Sequence, residues 1–505
     1  MKKVLAIFLA VLMLTALAAG CNKDNGGSSS GSKVLRIGSE SDITTLYGCD
    51  VQGVMGYSIL KNMLYDPLVR VDDRNGELVM CLAESFEYSD DETTLTFKLR
   101  DGAKFHNGNA FTADDVVFSF AEYCEHSAVG GLTGVAAVRA VDDKTVAFDL
   151  EFVYAPLLTT EMSDFLIMDK EYYDQVGADE YAEKPIGTGP YEFVSWEKAN
   201  NVKVKAYDGY WSNKAPIEEV EVIFMVDATA RANAIEVGDV DITTIASSSV
   251  ELLEGKDSIV IMDSPMCSVC GPVFNLDNEY FSDVRVRKAI AYAIDRDFMV
   301  ETAHPGGKGG VANSIWISEY AFGYSDKIGP KYNYDVAKAK ELLAEAGYAD
   351  GFDAGEIICN AGGATAAEVL MAQLSDIGIK SEIRVLETAA LYEAAGNRNF
   401  GIAFLRIGYG GADVAASDMY WKTGGGSNYA GYSNPRVDEL YDEGAKETDP
   451  DKRIEIYTEL GNILQEDMPW AQCYAMSFLV ACNSDLQGLH FNMNYGWQVY
   501  DFSWK

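Results

Sequence analysis

Histidine is scarce in this chain: four residues in 505, at positions 106, 126, 304 and 490. They lie far apart in sequence, so no H-E-x-x-H and no Cys/His zinc spacing can be written. Nine cysteines are present but widely spaced, and a chain of this size needs no disulfide scaffold. Cys267-Ser-Val-Cys270 has the spacing of a redox dithiol or half a zinc site. The second pair is missing, so these thiols read as structural. Positive charge is also short: 40 basic against 78 acidic residues, net −38. An acidic surface repels phosphate backbones, which argues against nucleic acid as a partner. After the first 20 residues no apolar run is long enough to cross a bilayer. There is no phosphate loop and no recognisable Ser-His-Asp set. Gly27-Ser-Ser-Ser-Gly31 matches G-x-S-x-G, but a Gly/Ser stretch offers no strand-turn-helix context.

What is present begins with Lys2 and Lys3, followed by an apolar run from Val4 to Ala19. This is a charged n-region and an h-region, the pattern of an export signal. The run ends in "ALAAGC", residues 16–21. That ending resembles the lipobox of bacterial lipoproteins, with Ala18 and Leu17 reversing the usual placement of leucine. The resemblance implies a signal peptide over 1–20, lipid attachment at Cys21, and a flexible Gly/Ser tether over 21–33.

The remainder alternates strand and helix patterns. Leu95, Phe97 and Leu99 alternate, as do Val146, Phe148, Leu150 and Phe152, and both runs read as half-buried strands. Thr112-Ala-Asp-Asp115 is a capping box ahead of "VVFSFAEY". Asp335, Asn434-Pro435 and Asp449-Pro450 mark helix starts, while Gly238, Gly347 and Gly378 mark helix ends. "DVRVRKAIAYAIDR" (283–296) carries Val286, Ile290, Ala293 and Ile294 on one helical face. Length suggests about three domains. No segment after residue 33 reads as a free linker, so the domains are expected to interleave.

Seven segments in fixed order resemble one family. They are "LRDGAKFHNGNAFTADDVVFSF" (99–120), "IGTGPYEFVSW" (186–196), "VKAYDGYW" (204–211), "IEVGDVDI" (235–242), "FSDVRVRKAIAYAIDR" (281–296), "YNYDVAKAKELLAEAGY" (332–348) and "NYAGYSNPRVDEL" (428–440). They are similar to the dipeptide, oligopeptide and nickel class (family 5) of solute-binding proteins of ABC importers. The resemblance implies an α/β fold: a two-lobed periplasmic-binding-protein fold (class II, cluster C-like) with an extra α/β domain inserted in the first lobe. It places lobe I at 34–52, 179–268 and 476–505, the extra domain at 53–178 and lobe II at 269–475. The lobes would close about two crossing strands, near "PMCSVCGPVFN" and "CYAMSFLVAC".

The family's role implies capture of a peptide-like solute and its delivery to a permease with its ATPase subunits. The protein would act as a monomer on the extracellular face of the cell membrane, held there through a lipid anchor only. No cofactor and no catalysis are implied. A peptide brings an amine and a carboxylate, and both must be paired when buried. In peptide-binding members an arginine closes a strand and an aspartate follows a few residues on. Here "AFLRIGYGGADVAASDMYW" (403–421) offers Arg406 for the carboxylate and Asp413 for the amine. The alternatives are a strand-end salt bridge for Arg406 and a solvated loop carboxylate for Asp413. The segment lacks the family's usual proline, and Gly410-Gly411 precede Asp413. Tyr409, Trp421 and Tyr47 are candidate stacking residues, with core packing as the alternative for each. An oligosaccharide or a nickel chelate is an alternative cargo, and an exported hydrolase an alternative of another class.

Overall fold

Alternating apolar patterns become strands, and the strands form one long mixed sheet and a smaller antiparallel one. The computed structural model describes residues 33–50, 56, 58–72, 77–127, 130–319, 321–408, 413–489 and 497–505, with the side chains of 265–267 outside that description. The leader, Cys21, nearly all of the tether, and Tyr409 therefore lie outside the described residues.

The chain enters on β1 (Leu35–Ser39). It then forms an antiparallel pair, β2 (Val69–Val71) with β3 (Leu78–Met80). A separate four-stranded sheet follows, from β4 (Ala83–Tyr88), β5 (Thr94–Leu99), β6 (Val135–Asp142) and β7 (Thr145–Leu150), in the order β4-β5-β7-β6. β8 (Tyr191–Glu197), β9 (Asn201–Ala206), β10 (Glu219–Phe224) and β11 (Ile242–Ile245) rejoin β1. β12 (Ile259–Phe274) then leads away to β13 (Gly310–Ala312), β14 (Phe352–Cys359), β15 (Ile379–Val385) and β16 (Ile402–Gly408), and β17 (Tyr474–Asn483) returns. The main sheet runs β15-β14-β16-β12-β17-β11-β1-β10-β9-β8, with β13 on β17.

Each half of this sheet has a parallel centre. β1 is parallel to β10 and β11, and β14 is parallel to β15 and β16. Parallel strands covered on both faces read as near-continuous apolar runs. "IAFLRI" of β16 is such a run, and its side chains alternate between two cores. Ile402 and Phe404 join one cluster with Ile357 and Phe274, while Ala403, Leu405 and Ile407 join another with Ile358 and Val273. The four-stranded sheet has its own core around Leu95, Phe97, Phe148 and Phe165, onto which Ala113 and Val116 of the helix Ala113–His126 pack.

The local signals form as read. The Thr112/Asp115 capping box is present, and Asp335, Asn434 and Asp449 each accept a backbone N–H at a helix start. Two readings need correction: β7 ends at Leu150, so Phe152 lies beyond the strand and is exposed, and 283–296 is two helices, Val284–Ala293 and Arg296–Ala303. Ile294 is extended, and Asp295 caps the second helix by accepting from Phe298 N. The Gly-Thr-Gly-Pro-Tyr motif has a steric basis. A Cβ at Gly187 would lie 2.0 Å from Leu64 O, and one at Gly189 would lie 2.3 Å from Met63 O. Only glycine lets these two backbones meet.

Asp66 and Asp115 are among the carboxyls buried between these elements. Asp66 accepts from Trp211 Nε1 (2.7 Å) and Tyr210 OH (3.3 Å), and burial pushes its pKa up to about 6. Asp115 accepts from Thr112 N (2.8 Å) and Lys170 N (3.1 Å), and burial pushes it up to about 6 as well. Both therefore hold a proton more tightly folded than unfolded. Their contribution to stability is complete below about pH 4 and is lost as pH rises through about 6. For Asp66 the rise corresponds to about 2–3 kcal/mol. Asp66→Asn, which keeps an acceptor for Trp211, is expected to flatten the fall in melting temperature between acid and neutral pH. A pH profile identical to that of the unsubstituted protein would contradict this.

Candidate functional site

In open α/β sheets the ligand crevice lies outside the carboxyl ends of the parallel strands. Here two such ends matter, one in each half of the sheet. β1 ends at Ser39 and runs into the loop 40–50, and β16 ends at Gly408 and leads to Asp413. β12 and β17 join the halves. β12 pairs with β17 through Ile259–Cys270 and with β16 through Ser268–Phe274.

At the β1 end, Glu40 accepts from Thr244 Oγ1 (3.1 Å) and lies 3.9 Å from Arg231. Arg231 is itself fixed by donating to the carbonyls of Thr244, Met225 and Val226. Further along the loop, Tyr47 is buried. Its hydroxyl donates to Glu122, and its ring packs edge-on against His126 (5.6 Å) and Tyr181 (6.1 Å). Burial, and then the Glu122 hydrogen bond, push the Tyr47 phenol well above its usual range.

At the β16 end, Arg406 is exposed and pairs across the ladder with Cys270, while its carbonyl accepts from Tyr392 OH (2.9 Å). Cys270 is a buried free thiol pushed up to about 12 by burial. Asp413 is only 2 % exposed. Its Oδ1 accepts from Ala415 N (2.9 Å) and Arg453 Nη2 (3.0 Å), and its Oδ2 accepts from the same nitrogen (3.1 Å). Arg453 also donates to Gly444 O and lies against Phe322 (4.6 Å) and Tyr457 (5.4 Å). Burial raises the Asp413 carboxyl, and the guanidinium opposes that rise. Three of the roughly four acceptor sites of a carboxylate are thus taken.

Trp421 stacks on Trp470 (5.7 Å, 22°) within the core. Beside it, Tyr420 approaches Tyr429 (6.2 Å) and Tyr429 approaches Tyr392 (5.9 Å), an aromatic row next to the end of β16. So Arg406 stands on β16, Asp413 follows beyond the strand end, Trp421 packs in the core, and Tyr47 lies in the loop after β1. A cavity of about 390 Å³ opens beside the crossing strands, among Asp263, Asn313, Glu319, Lys331, Met476 and Ser477. Sequence reading gave no sign of that cavity, nor of Tyr392, which a separate helix (Thr388–Gly396) carries to β16. It also passed over Glu122, Glu125 and His126, whose ligand atoms all lie within 4.8 Å of one another. Their i, i+3, i+4 spacing was the available signal. Among the described residues no helix is long and apolar enough to cross a membrane.

Two half-sheets joined by two crossing strands, with parallel strand ends on both sides, define a two-lobed binding protein. The sequence matches the bacterial extracellular solute-binding proteins, family 5 (middle), over residues 77–429, and the chain belongs to that family. It is 28 % identical to heme-binding protein A of Haemophilus influenzae, covering 92 % of each chain. It is 29 % identical to the dipeptide-binding protein of Escherichia coli, over 80 % of this chain and 82 % of that one. The structure of HbpA2 from Haemophilus parasuis superposes with a TM-score of 0.84 at 25 % identity, over 94 % of this chain and 99 % of that chain.

The Asp413–Arg453 pair gives a direct test of what holds the loop after β16. Asp413→Ala strands a buried guanidinium and is expected to cost about 3–5 kcal/mol. Asp413→Ala combined with Arg453→Met is expected to recover much of that loss, a coupling readable by denaturant unfolding of both single variants and the double. Additive losses would mean that the pair is not a unit.

Proposed function

We propose that the protein is the extracellular substrate-binding component of an ABC importer, taking a peptide-like solute between its lobes and passing it to the permease and its ATPase subunits. The observation that carries the peptide reading is Arg406, exposed two residues before the end of β16, with Asp413 seven residues further on. Arg406 receives the solute's carboxylate through its planar fork. Asp413, oriented by Arg453, offers its remaining acceptor site to the solute's amine. Tyr420, Tyr429 and Tyr392 supply the aromatic wall, with Trp421 and Trp470 behind it. Tyr47 shapes the opposite side; Tyr409, outside the described residues, stays a candidate for stacking by sequence alone. The relationship to a dipeptide-binding protein supports this reading.

The chain acts by binding and release, without catalysis, as a monomer. Cys21 carries the lipid that holds it on the outer face of the membrane, and residues 22–33 act as the tether. The tether keeps the protein near its permease and raises the effective concentration there.

A thermal-shift screen against dipeptides, longer peptides, oligosaccharides, haem and nickel chelates tests this. A specific peptide is expected to raise the melting temperature, because it binds only the folded form. Arg406→Ala is then expected to weaken that peptide at least about tenfold, or about 1.4 kcal/mol. A response to sugars or haem alone, or a peptide response untouched by Arg406→Ala, would overturn the charge-pair site.

A further inference from the structure

The last turn of the helix Ala113–His126 carries a cluster that peptide binding does not use. Glu122, Glu125 and His126 stand at i, i+3 and i+4, so their side chains share one helical face. Their ligand atoms lie within 4.8 Å of one another, and no other group of three His, Cys, Asp or Glu comes this close among the described residues. His126 Nε2 is 3.4 Å from Glu122 Oε2. Two ligand atoms about 2.0–2.2 Å from one ion stand about 3.0–3.5 Å apart, so that pair already has the spacing of a chelate. Glu125 is exposed and reaches the same point by a rotamer change.

We propose that Glu122, Glu125 and His126 form a binding site for one divalent transition-metal ion of the zinc and nickel type. The imidazole decides the class: sites for calcium and magnesium are built from oxygen alone, whereas imidazole with carboxylates suits zinc, nickel and cobalt.

Groups from outside the helix already orient the ligands. The Tyr47 hydroxyl donates to Glu122. The Tyr47 ring stands edge-on to the His126 imidazole, with an interplanar angle of 82°. Such outer partners fix ligand orientation in metal sites. The end of the helix adds a cation-favouring dipole. A bound ion would link the helix that caps the four-stranded sheet to the loop after β1, through Tyr47. The competing occupant is a proton, which would leave a simple His126–Glu122 ion pair.

The test uses the purified protein with zinc chloride in calorimetry and cobalt chloride as an absorbing probe. One zinc ion is expected to bind per chain, with a cobalt spectrum showing nitrogen ligation. His126→Ala and Glu125→Gln are each expected to weaken zinc about tenfold or more. Both side chains are partly exposed, so an unchanged melting temperature would show that the fold persists. Among the described residues the other imidazoles are engaged elsewhere: His106 with Gly189 O, and His304 packed on Tyr474. No saturable zinc binding, or zinc binding unchanged in both variants, would overturn the site.

Discussion

The pairing of β12 with β17 is the constraint on which the rest depends. These two strands carry the chain between the halves of the main sheet: β12 is hydrogen-bonded to β16 of the second half, and β17 to β11 of the first half and β13 of the second. The ladder is not uniform. Pro265 stands opposite Ser477, and the next aligned pair is Val269 opposite Ala475, so two extra residues are taken up on β12. Such an irregularity interrupts pairing and lets the strand bend, and proline has no N–H to give to the ladder. Separate cores lie on either side of it, two in the second half and two in the first. The hinge expected near this segment thus coincides with the place where the sheet is least tied.

Closure is useful only if the loops at the strand ends hold their shape. Both loops are held by buried polar contacts rather than by packing alone. On the β16 side, Arg453 reaches 40 residues back to Asp413 and sits between Phe322 and Tyr457. On the β1 side, Tyr47 is tied to Glu122 of the inserted region. A buried carboxylate without partners costs several kcal/mol, so each loop has a narrow set of acceptable positions. That cost restricts the free protein to the arrangement the solute meets, and less ordering remains to be done on binding.

How much of this was legible follows from the range of each interaction. Thr112/Asp115, Asp335, Asn434 and Asp449 act on backbone groups within one helical turn, so their meaning is written locally. The alternation in β5 and β7 is equally local. The helix break at Ile294 was missed because the apolar face of "VRKAIAYAI" continues across it, and only the cap at Asp295 marks the stop. The partnership of Asp413 with Arg453 spans 40 residues and depends on how the helix Pro450–Asp467 docks, which no spacing rule reports. The same holds for Tyr392 beside Arg406, since the helix bearing it reaches β16 only through the parallel crossover from β15. Of the seven ordered motifs, 186–196 marks a steric necessity, since Gly187 and Gly189 meet the backbone of 63–64.

The charge of the whole chain bears on what the cleft selects. A net charge of −38 sets up a field that opposes any anionic solute outside the protein. At physiological salt that field is screened beyond about 8 Å, so it acts chiefly on a solute already near the surface. Arg406 works against it locally, and only for a carboxylate that has reached the end of β16. A solute bearing both an amine and a carboxylate meets no net repulsion on approach and can satisfy both charged groups once inside. A dianion of similar size is opposed on approach and leaves one charge unpaired on burial. On the peptide reading, then, the acidic surface and the Arg406–Asp413 pair act in the same direction. Both favour zwitterions, the first by excluding anions over distance and the second by pairing opposite charges at contact.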